Sequence, residues 1–581
     1  MNGKRLLPLL VAVFVGLLSV APQWISRQAL GSAYRGVPFM FVDDDDYYLA
    51  RVRKITEGDF LASSPAILEG RGQLPLILPI GEYFYALPVL VFRIPILTVF
   101  VAAKFLLPAV LFYLVYLLAL RLAGESSKSA MFFAIGTSLT VTLGQTFVNP
   151  ASAWSVISGA TATAVSIPWT RLVNPVTGAL FLFTFLLALW EIQNGSGKRR
   201  LWLPAGLLLA LMSGYVFSWG LALAVLFCVT VTALVRRDVS LFKRLIFVFV
   251  TGTLLLVPYW GFVASSMSGS GGHELYGRNG MFFTHAPMFN KVLFAATVVL
   301  LILSAWQYRQ FRDFKRVCFQ PWLLFSFALI GGGWIAFNQQ ILTGRTIWPY
   351  HFVQYTVPFA ILVVLVGLFH VVRPVFPKLW KALMALLALA SLVYGGMAAK
   401  STLAVLPVDR GLQSDALVFD WLNAQGVKDC VVYVREEDDR FTRLIPGFTS
   451  CHIYRSHWVF SGGLSMDRLE HNFFTYLRFS GVEPSEAKQY LLDHSDIVRV
   501  DFFDDWNRLF GHGTDEWVLA QIDRLVPLYA DFYNQDFATE LKKYRLDYLI
   551  SDIALSQEQQ KSMGIAAEAA KLDRWIVYVF K

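Results

Sequence analysis

The stretch Asp43-Asp44-Asp45-Asp46-Tyr47-Tyr48-Leu49-Ala50-Arg51 sets four carboxylates just beyond the first apolar run of a very apolar chain. Ionisable groups beside a bilayer are costly and are kept where they bind or react. Of the 13 acidic residues in the first 400 positions, eight fall between Asp43 and Glu82. Acid is gathered into one loop.

Around that loop, 56% of the 581 residues are hydrophobic and 15% aromatic, and mean hydropathy is +0.52. Such a composition describes a multispanning membrane protein and argues against a soluble enzyme. Charge divides the chain: residues 1 to 400 carry 31 bases against 13 acids, and residues 401 to 581 carry 19 against 28. The excess bases sit in short loops between apolar runs, where membrane orientation accounts for them, so no nucleic-acid partner is expected.

Residues 6 to 20 form a first apolar span with Lys4 and Arg5 before it, which sets the N terminus in the cytoplasm and the acidic loop outside. Basic loops recur at every second turn: Arg121 and Lys128; 198 to 200; Arg236 to Arg244; Arg309 to Arg316; Arg373 to Lys381. Between them lie apolar runs near 96–120, 129–147, 176–193, 201–217, 220–235, 243–262, 289–305, 319–336, 353–371 and 380–398. With the first span this makes about eleven transmembrane helices. The expected domains are 1–402, membrane-embedded with a long first outer loop over 23–95, and 403–581, which an odd number of spans puts outside.

The second domain reads as a small α/β unit. Short apolar runs at 430–434, 547–550 and 575–580 predict buried strands, and helical patterns fall at 414–423, 486–492, 517–528 and 557–570. Cys430 and Cys451 pair if the domain faces an oxidising compartment, or remain small buried hydrophobes if it does not.

If the aspartate run opens a helix, Asp44, Asp45 and Asp46 favour its N terminus, and Asp45 shares a face with Tyr48. One carboxylate there is placed to accept a proton or bind a divalent cation. The alternative is a solvated acidic loop that caps an interfacial helix.

The segment 45–51 resembles the first-loop signature of the GT-C membrane glycosyltransferases, above all the oligosaccharyltransferase catalytic subunits: an Asp two residues before an aromatic pair, then an Arg three residues on. The wider layout is similar: cytoplasmic N terminus, long first outer loop, eleven or more spans and a C-terminal outer domain. The resemblance implies a GT-C-like polytopic α-helical protein that moves a sugar from a polyprenyl-phosphate-linked donor to an acceptor at the outer face. It makes Asp45 general base or metal ligand, with Asp44 and Asp46 close in register, and makes Mg or Mn a possible cofactor. Two departures stand out: residues 148–174 hold no acid, and the acceptor-reading WWDYG motif is missing, Asp504-Asp505-Trp506-Asn507 being only superficially alike. Both argue against sequon-directed transfer.

A lipid phosphate needs cationic groups at the outer interface, and Arg suits it best. Arg171 and Arg345 have that address, and His351 follows Arg345 in a loop rich in amides and aromatics. Each also reads as an interfacial anchor or a packing residue. Tyr47, Tyr48 and Arg51 complete the substrate-binding candidates, with Glu274, the one outer-side acid between 83 and 400 in this topology. The expected setting is multi-pass, in a plasma (inner) membrane, and the acceptor is a glycan, lipid or protein. Glycan transfer to protein, a flippase for lipid-linked saccharides, and a noncatalytic scaffold are the rival readings.

Overall fold

The computed structural model describes residues 3–40, 44–72, 75, 77–124, 127–148, 154, 158, 167–194, 201–267, 283–313, 317, 319–435, 440–456, 464–502 and 515–580. The chain opens with α1 (Gly3–Leu30), and the long loop after it then holds α2 (Asp45–Thr56) and α3 (Ile80–Phe92). There follow α4 (Ile96–Ala123), α5 (Lys128–Thr142), α6 (Val176–Gln193), α7 (Trp202–Leu211), α8 (Val216–Val235), α9 (Val239–Leu254), α10 (Val257–Met267), α11 (Lys291–Phe311), α12 (Pro321–Phe337), α13 (Pro349–Val371) and α14 (Pro377–Ser401). The expected apolar runs fall along these helices with three departures: 129–147 outruns α5, which ends at Thr142, 201–217 is broken between α7 and α8, and α9 and α10 share 243–262. Among the described residues, seven helical stretches are long and apolar enough to cross a membrane.

A helix that must satisfy its own backbone in lipid can bury apolar side chains on one face and show others on the opposite one. On α4, Phe112, Val115 and Leu118 are wholly buried while Leu106 and Val110 stay open to the surroundings. α1, α5 and α6 pack along α4, and the shared core runs through Phe133, Phe183 and Tyr355. α1 continues beyond residue 20 to Leu30, and its last turns are polar for a reason. Gln23 donates to the Phe39 carbonyl (2.7 Å) and accepts from the Phe39 amide (3.0 Å), and Ser26 donates to Asp409.

The C-terminal part starts on α15 (Leu406–Ala424), close behind α14. Five strands follow, β1 (Val431–Arg435), β2 (His452–Ile453), β3 (Tyr548–Ser551), β4 (Ile565–Leu572) and β5 (Trp575–Phe580), in the order β2-β1-β3-β5-β4. β1 pairs in parallel with β2 and β3; β5 is antiparallel to β3 and β4. The inner strands are apolar runs buried on both faces, as parallel pairing demands. α16 (Arg440–Phe448) and α17 (Met466–Phe479) cover the sheet's β1 and β2 side. Cys430 and Cys451 form a disulfide at the head of β1 and β2, with Cα atoms 4.4 Å apart.

One expected helix is corrected. Of 557–570, only Gln557–Ser562 is helical; Gly564 turns the chain in the left-handed region (φ 72°) and β4 begins. β5 would otherwise present an unpaired edge, so Ala-rich sequence is drawn into the sheet despite its helix propensity.

The loop after α1 does not stand apart from this domain. Val37, Ala50, Ala66 and Ile67 belong to its apolar core, and the Ala66 carbonyl accepts from the Ile453 amide at 2.8 Å. Gln413 bonds the Val37 carbonyl (2.9 Å), Arg71 pairs with Asp429 (2.5 Å), and Gly447 packs so closely on Leu49 that a Cβ would stand 2.8 Å from its Cγ. Loop and domain together form the cap over the helices.

Candidate functional site

α2 forms because its first turn is acidic (Asp45, Asp46) and its last basic (Arg53, Lys54), in line with the helix dipole. Leu49, Val52 and Ile55, spaced three apart, are buried against Tyr85, Phe100 and Leu172. Burial of each stabilises the seat by roughly 1.5–3 kcal/mol. This fixes the helix N terminus where loop, membrane helices and C-terminal domain meet.

At that point three consecutive aspartates turn to three different cations. Asp44, in the left-handed region at φ 72°, makes no helix-capping bond and pairs instead with Arg171. Asp45, 1% exposed, has Oδ2 2.7 Å from Nζ of Lys104 on α4, and its Oδ1 accepts from the Leu172 amide at 2.8 Å. Asp46 has Oδ2 3.3 Å from Nε of Arg443 on α16. The opposing strand of the site is also held out of its preferred conformation: Val173 sits at φ 57°, with its amide 3.0 Å from the Tyr85 hydroxyl. Left-handed backbone costs a β-branched residue of order 1–3 kcal/mol and collects at functional sites.

Behind the aspartates the polar groups continue. Tyr48 is hydrogen-bonded to Asn174, and burial pushes its phenol well above the ordinary tyrosine value. Tyr215 contacts His351 Nδ1 at 3.3 Å, and the charge of Arg171 reaches both. His351 stacks on Phe217 at 4.7 Å, and Tyr355 donates to the Pro175 carbonyl at 3.0 Å. The sequence candidates Asp44, Asp45, Asp46, Tyr48, Arg171 and His351 are thus brought together.

Others are placed differently. Arg51 is buried as a strut: Nε pairs with Glu82 (2.5 Å), Nη1 donates to the Tyr47 hydroxyl (3.3 Å) and the Ala62 carbonyl (3.3 Å), and Nη2 to the Ile77 carbonyl (3.1 Å). Tyr47 lies edge-on to Tyr48 at 5.7 Å, so Arg51 positions the aromatic pair. Arg345 lies over the Phe283 ring at 5.2 Å, in the turn between α12 and α13. Glu274 lies outside the described residues, as do Asp43 and residues 504–507.

Lys104 and Arg443 are the cations beside the aspartates that sequence reasoning missed. Lys104 had a signal: it is the lone charge between 96 and 120, an address where ionisable residues are retained for a purpose. Arg443 had none, because it arrives only when the C-terminal domain docks.

Among the described residues, Asp45 meets an ammonium and an amide N–H, whereas a hard divalent cation takes six or more oxygens. Among the described residues no three His, Cys, Asp or Glu side chains converge in a metal-holding group. The described contacts of Asp45 do not supply the oxygen set that Mg or Mn takes.

No family model matches the chain, and no curated relative matches it. Among solved structures, the chain is similar to ArnT from Cupriavidus metallidurans in the apo state, with 13% identity and a TM-score of 0.47 over 99% of this chain and 98% of that one. The same enzyme bound to undecaprenyl phosphate gives 12% and 0.44, over 100% and 98%. The archaeal oligosaccharyltransferase AglB from Archaeoglobus fulgidus, in complex with an inhibitory peptide and a dolichol-phosphate, gives 13% and 0.44 over 97% of this chain and 71% of that one. At these scores the similarity carries no conclusion about what this chain does.

Proposed function

We propose that this chain is a membrane glycosyltransferase that takes a sugar from a polyprenyl-phosphate-linked donor, with Asp45 as general base. The observation that supports it best is the aspartate turn itself: three carboxylates held against three cations, on strained backbone, at the junction of helices, loop and outer domain. Such an arrangement can exchange partners. When a lipid phosphate enters, Lys104 and Arg171 turn from carboxylate to phosphate oxygens, a charge-assisted exchange that leaves the Asp45 carboxylate without its cation and so ready to gain a proton.

Asp45 is then free to take the proton of an acceptor hydroxyl. As the acceptor oxygen bonds to the anomeric carbon, the bond from that carbon to the phosphate oxygen breaks. The polyprenyl phosphate leaves with the electron pair, its charge met by Lys104 and Arg171. Attack from the face opposite the leaving group inverts the anomeric centre. Arg171 takes the phosphate role because it is paired within the aspartate turn, while Arg345 sits over Phe283. No metal has a step.

The disulfide and the basic loops fit one orientation: disulfides persist in oxidising compartments, so loop and C-terminal domain lie outside and the N terminus inside. A bacterial inner membrane suits this layout. The test is release of free polyprenyl monophosphate by purified protein in liposomes loaded with a lipid extract rich in polyprenyl-linked saccharides, with a solubilised cell-envelope fraction supplied as the source of acceptor hydroxyls, read by mass spectrometry. Wild type should release it and Asp45→Asn should do so at least about 100-fold more slowly. Intact donor crossing the bilayer with no phosphate freed would establish a flippase instead.

A further inference from the structure

α1 and α14 pack side by side, and each carries an exposed apolar stripe that ends in a base. On α1, Val13, Leu17 and Trp24 are exposed on one face, and exposed Arg27 follows Trp24 by one turn. On α14, Leu389 and Val393 are exposed on one face, and exposed Lys400 stands two turns beyond Val393. We infer that this seam binds an anionic diacyl phospholipid, its chains along the two stripes and its phosphate between Arg27 and Lys400.

One close contact sets the heights. A Cβ on Gly395 of α14 would stand 3.2 Å from Cδ1 of Leu18 on α1, so the helices touch there. Arg27 is nine residues beyond Leu18 and Lys400 is five beyond Gly395. At about 1.5 Å per residue the two bases differ in height by about 6 Å, within the reach of their side chains. Both helices run toward the cap: Ser26 of α1 donates to Asp409 at the head of α15, which follows α14. α4 and α5 pack behind the pair, which leaves the stripes facing outward. Trp24 suits the headgroup level, where aromatic side chains collect.

Charge makes the lipid an anion. The Arg27 guanidinium lies over the Tyr34 ring at 5.3 Å, which orients it without neutralising it. Neither base has an ion-pair partner among the described residues. The helices α1, α4, α5 and α14 contain no acid. On α15, Asp409 is 3% exposed and accepts from Ser26, Asp415 is 1% exposed and meets Trp575 and Arg574, and Asp420 lies three turns past Asp409. The acids at 436–439 lie outside the described residues. With the cap outside, as proposed, bases at this end run against the positive-inside bias, so two on adjoining stripes call for a ligand. A zwitterionic lipid offsets its own phosphate, whereas an anionic one brings a counter-charge to both bases.

Native mass spectrometry tests the site on the full chain, purified in detergent and titrated with phosphatidylglycerol or with phosphatidylcholine of the same acyl chains. Wild type should hold its tightest phosphatidylglycerol about tenfold more firmly than phosphatidylcholine. Arg27→Gln/Lys400→Gln should lose that preference, whereas Lys378→Gln/Lys381→Gln, which removes exposed bases at the opposite end of α14, should keep it. Thermal unfolding in lipid-free detergent confirms that the variants fold; should the first pair fail there, the single variants, each weaker by about threefold, carry the test. Excess inorganic phosphate should not displace the lipid, because the chains are held as well; displacement would assign the seam to phosphate alone and overturn the lipid. An Asp45→Asn/Lys104→Met variant should bind as wild type does, so failure of transfer and failure of this site are distinguishable. Equal affinity of wild type for the two lipids, as neutralisation of the bases by residues 436–439 would produce, or equal loss in the two paired variants, would overturn the inference.

Discussion

Asp45 and Lys104 are 1% and 7% exposed, so each is the other's principal substitute for water. Removing one partner of a buried pair strands the other, at about 3–5 kcal/mol, whereas replacing both by apolar groups is often nearly neutral. Asp45→Asn should therefore lower the melting temperature as well as activity, and Asp45→Asn/Lys104→Met should restore stability with transfer still absent. A stable double variant that transfers at the wild-type rate would remove Asp45 from the chemistry. Arg51 makes a different prediction, because its fork serves Glu82, Tyr47 and two carbonyls at once. Arg51→Lys keeps the charge yet cannot reach all four, so equilibrium unfolding should show a loss on the order of 2–3 kcal/mol; a loss below about 0.5 kcal/mol would contradict the strut role. At this scale the sequence showed the acids plainly, since carboxylates in so apolar a chain stand out. It hid their partners. Lys104 is visible only if an intramembrane charge is weighed as heavily as a loop charge, and Arg443 is nearly 400 residues from the carboxylate it meets.

Elements follow the same division between local signal and tertiary demand. The apolar runs that became β1, β3 and β5 were legible because buried strands need them. The Ala-Ala-Glu-Ala-Ala-Lys run at 566–571 favours helix by propensity and became β4 because β5 needed an edge partner. Its exposed Glu568 and Lys571 and its register shifts blunt that edge against further pairing. In the C-terminal domain, burial and then the charge of Lys54 lower His452 on β2 to about 3, and burial and then Arg468 lower His471 on α17 to about 3. Both are neutral when folded, while the unfolded chain binds protons below an ordinary value near 6.5. Stability from these sites is full above about pH 6.5 and is lost as pH falls from there toward 3. Urea midpoints measured between pH 7 and 4 should fall, and the His452→Asn/His471→Asn variant, weaker at pH 7, should fall less steeply. An equal slope would show that other groups govern the acid response.

For the whole molecule, the controlling feature is that the loop after α1 and the C-terminal domain share one core, so the cap is a single unit built from two distant parts of the chain. Hydropathy revealed the helices, but this union leaves no periodic trace, because it depends on complementary surfaces rather than on any pattern along the chain. Gly447 tests it. A valine there must push against Leu49, and overpacking of this kind costs typically 1–3 kcal/mol. Gly447→Val should expose the cap to limited proteolysis and slow transfer, although residue 447 touches none of the three aspartates; unchanged proteolysis and rate would show that docking is not needed. The central claim is transfer from a polyprenyl-linked sugar with Asp45 as base, and the most direct measurement is the pool of polyprenyl-linked saccharides, by mass spectrometry, in cells whose only copy is wild type or the stabilised Asp45→Asn/Lys104→Met variant. Accumulation of one lipid-linked sugar on the outer leaflet in the variant is the predicted result. A lipid pool identical in the two strains would contradict it.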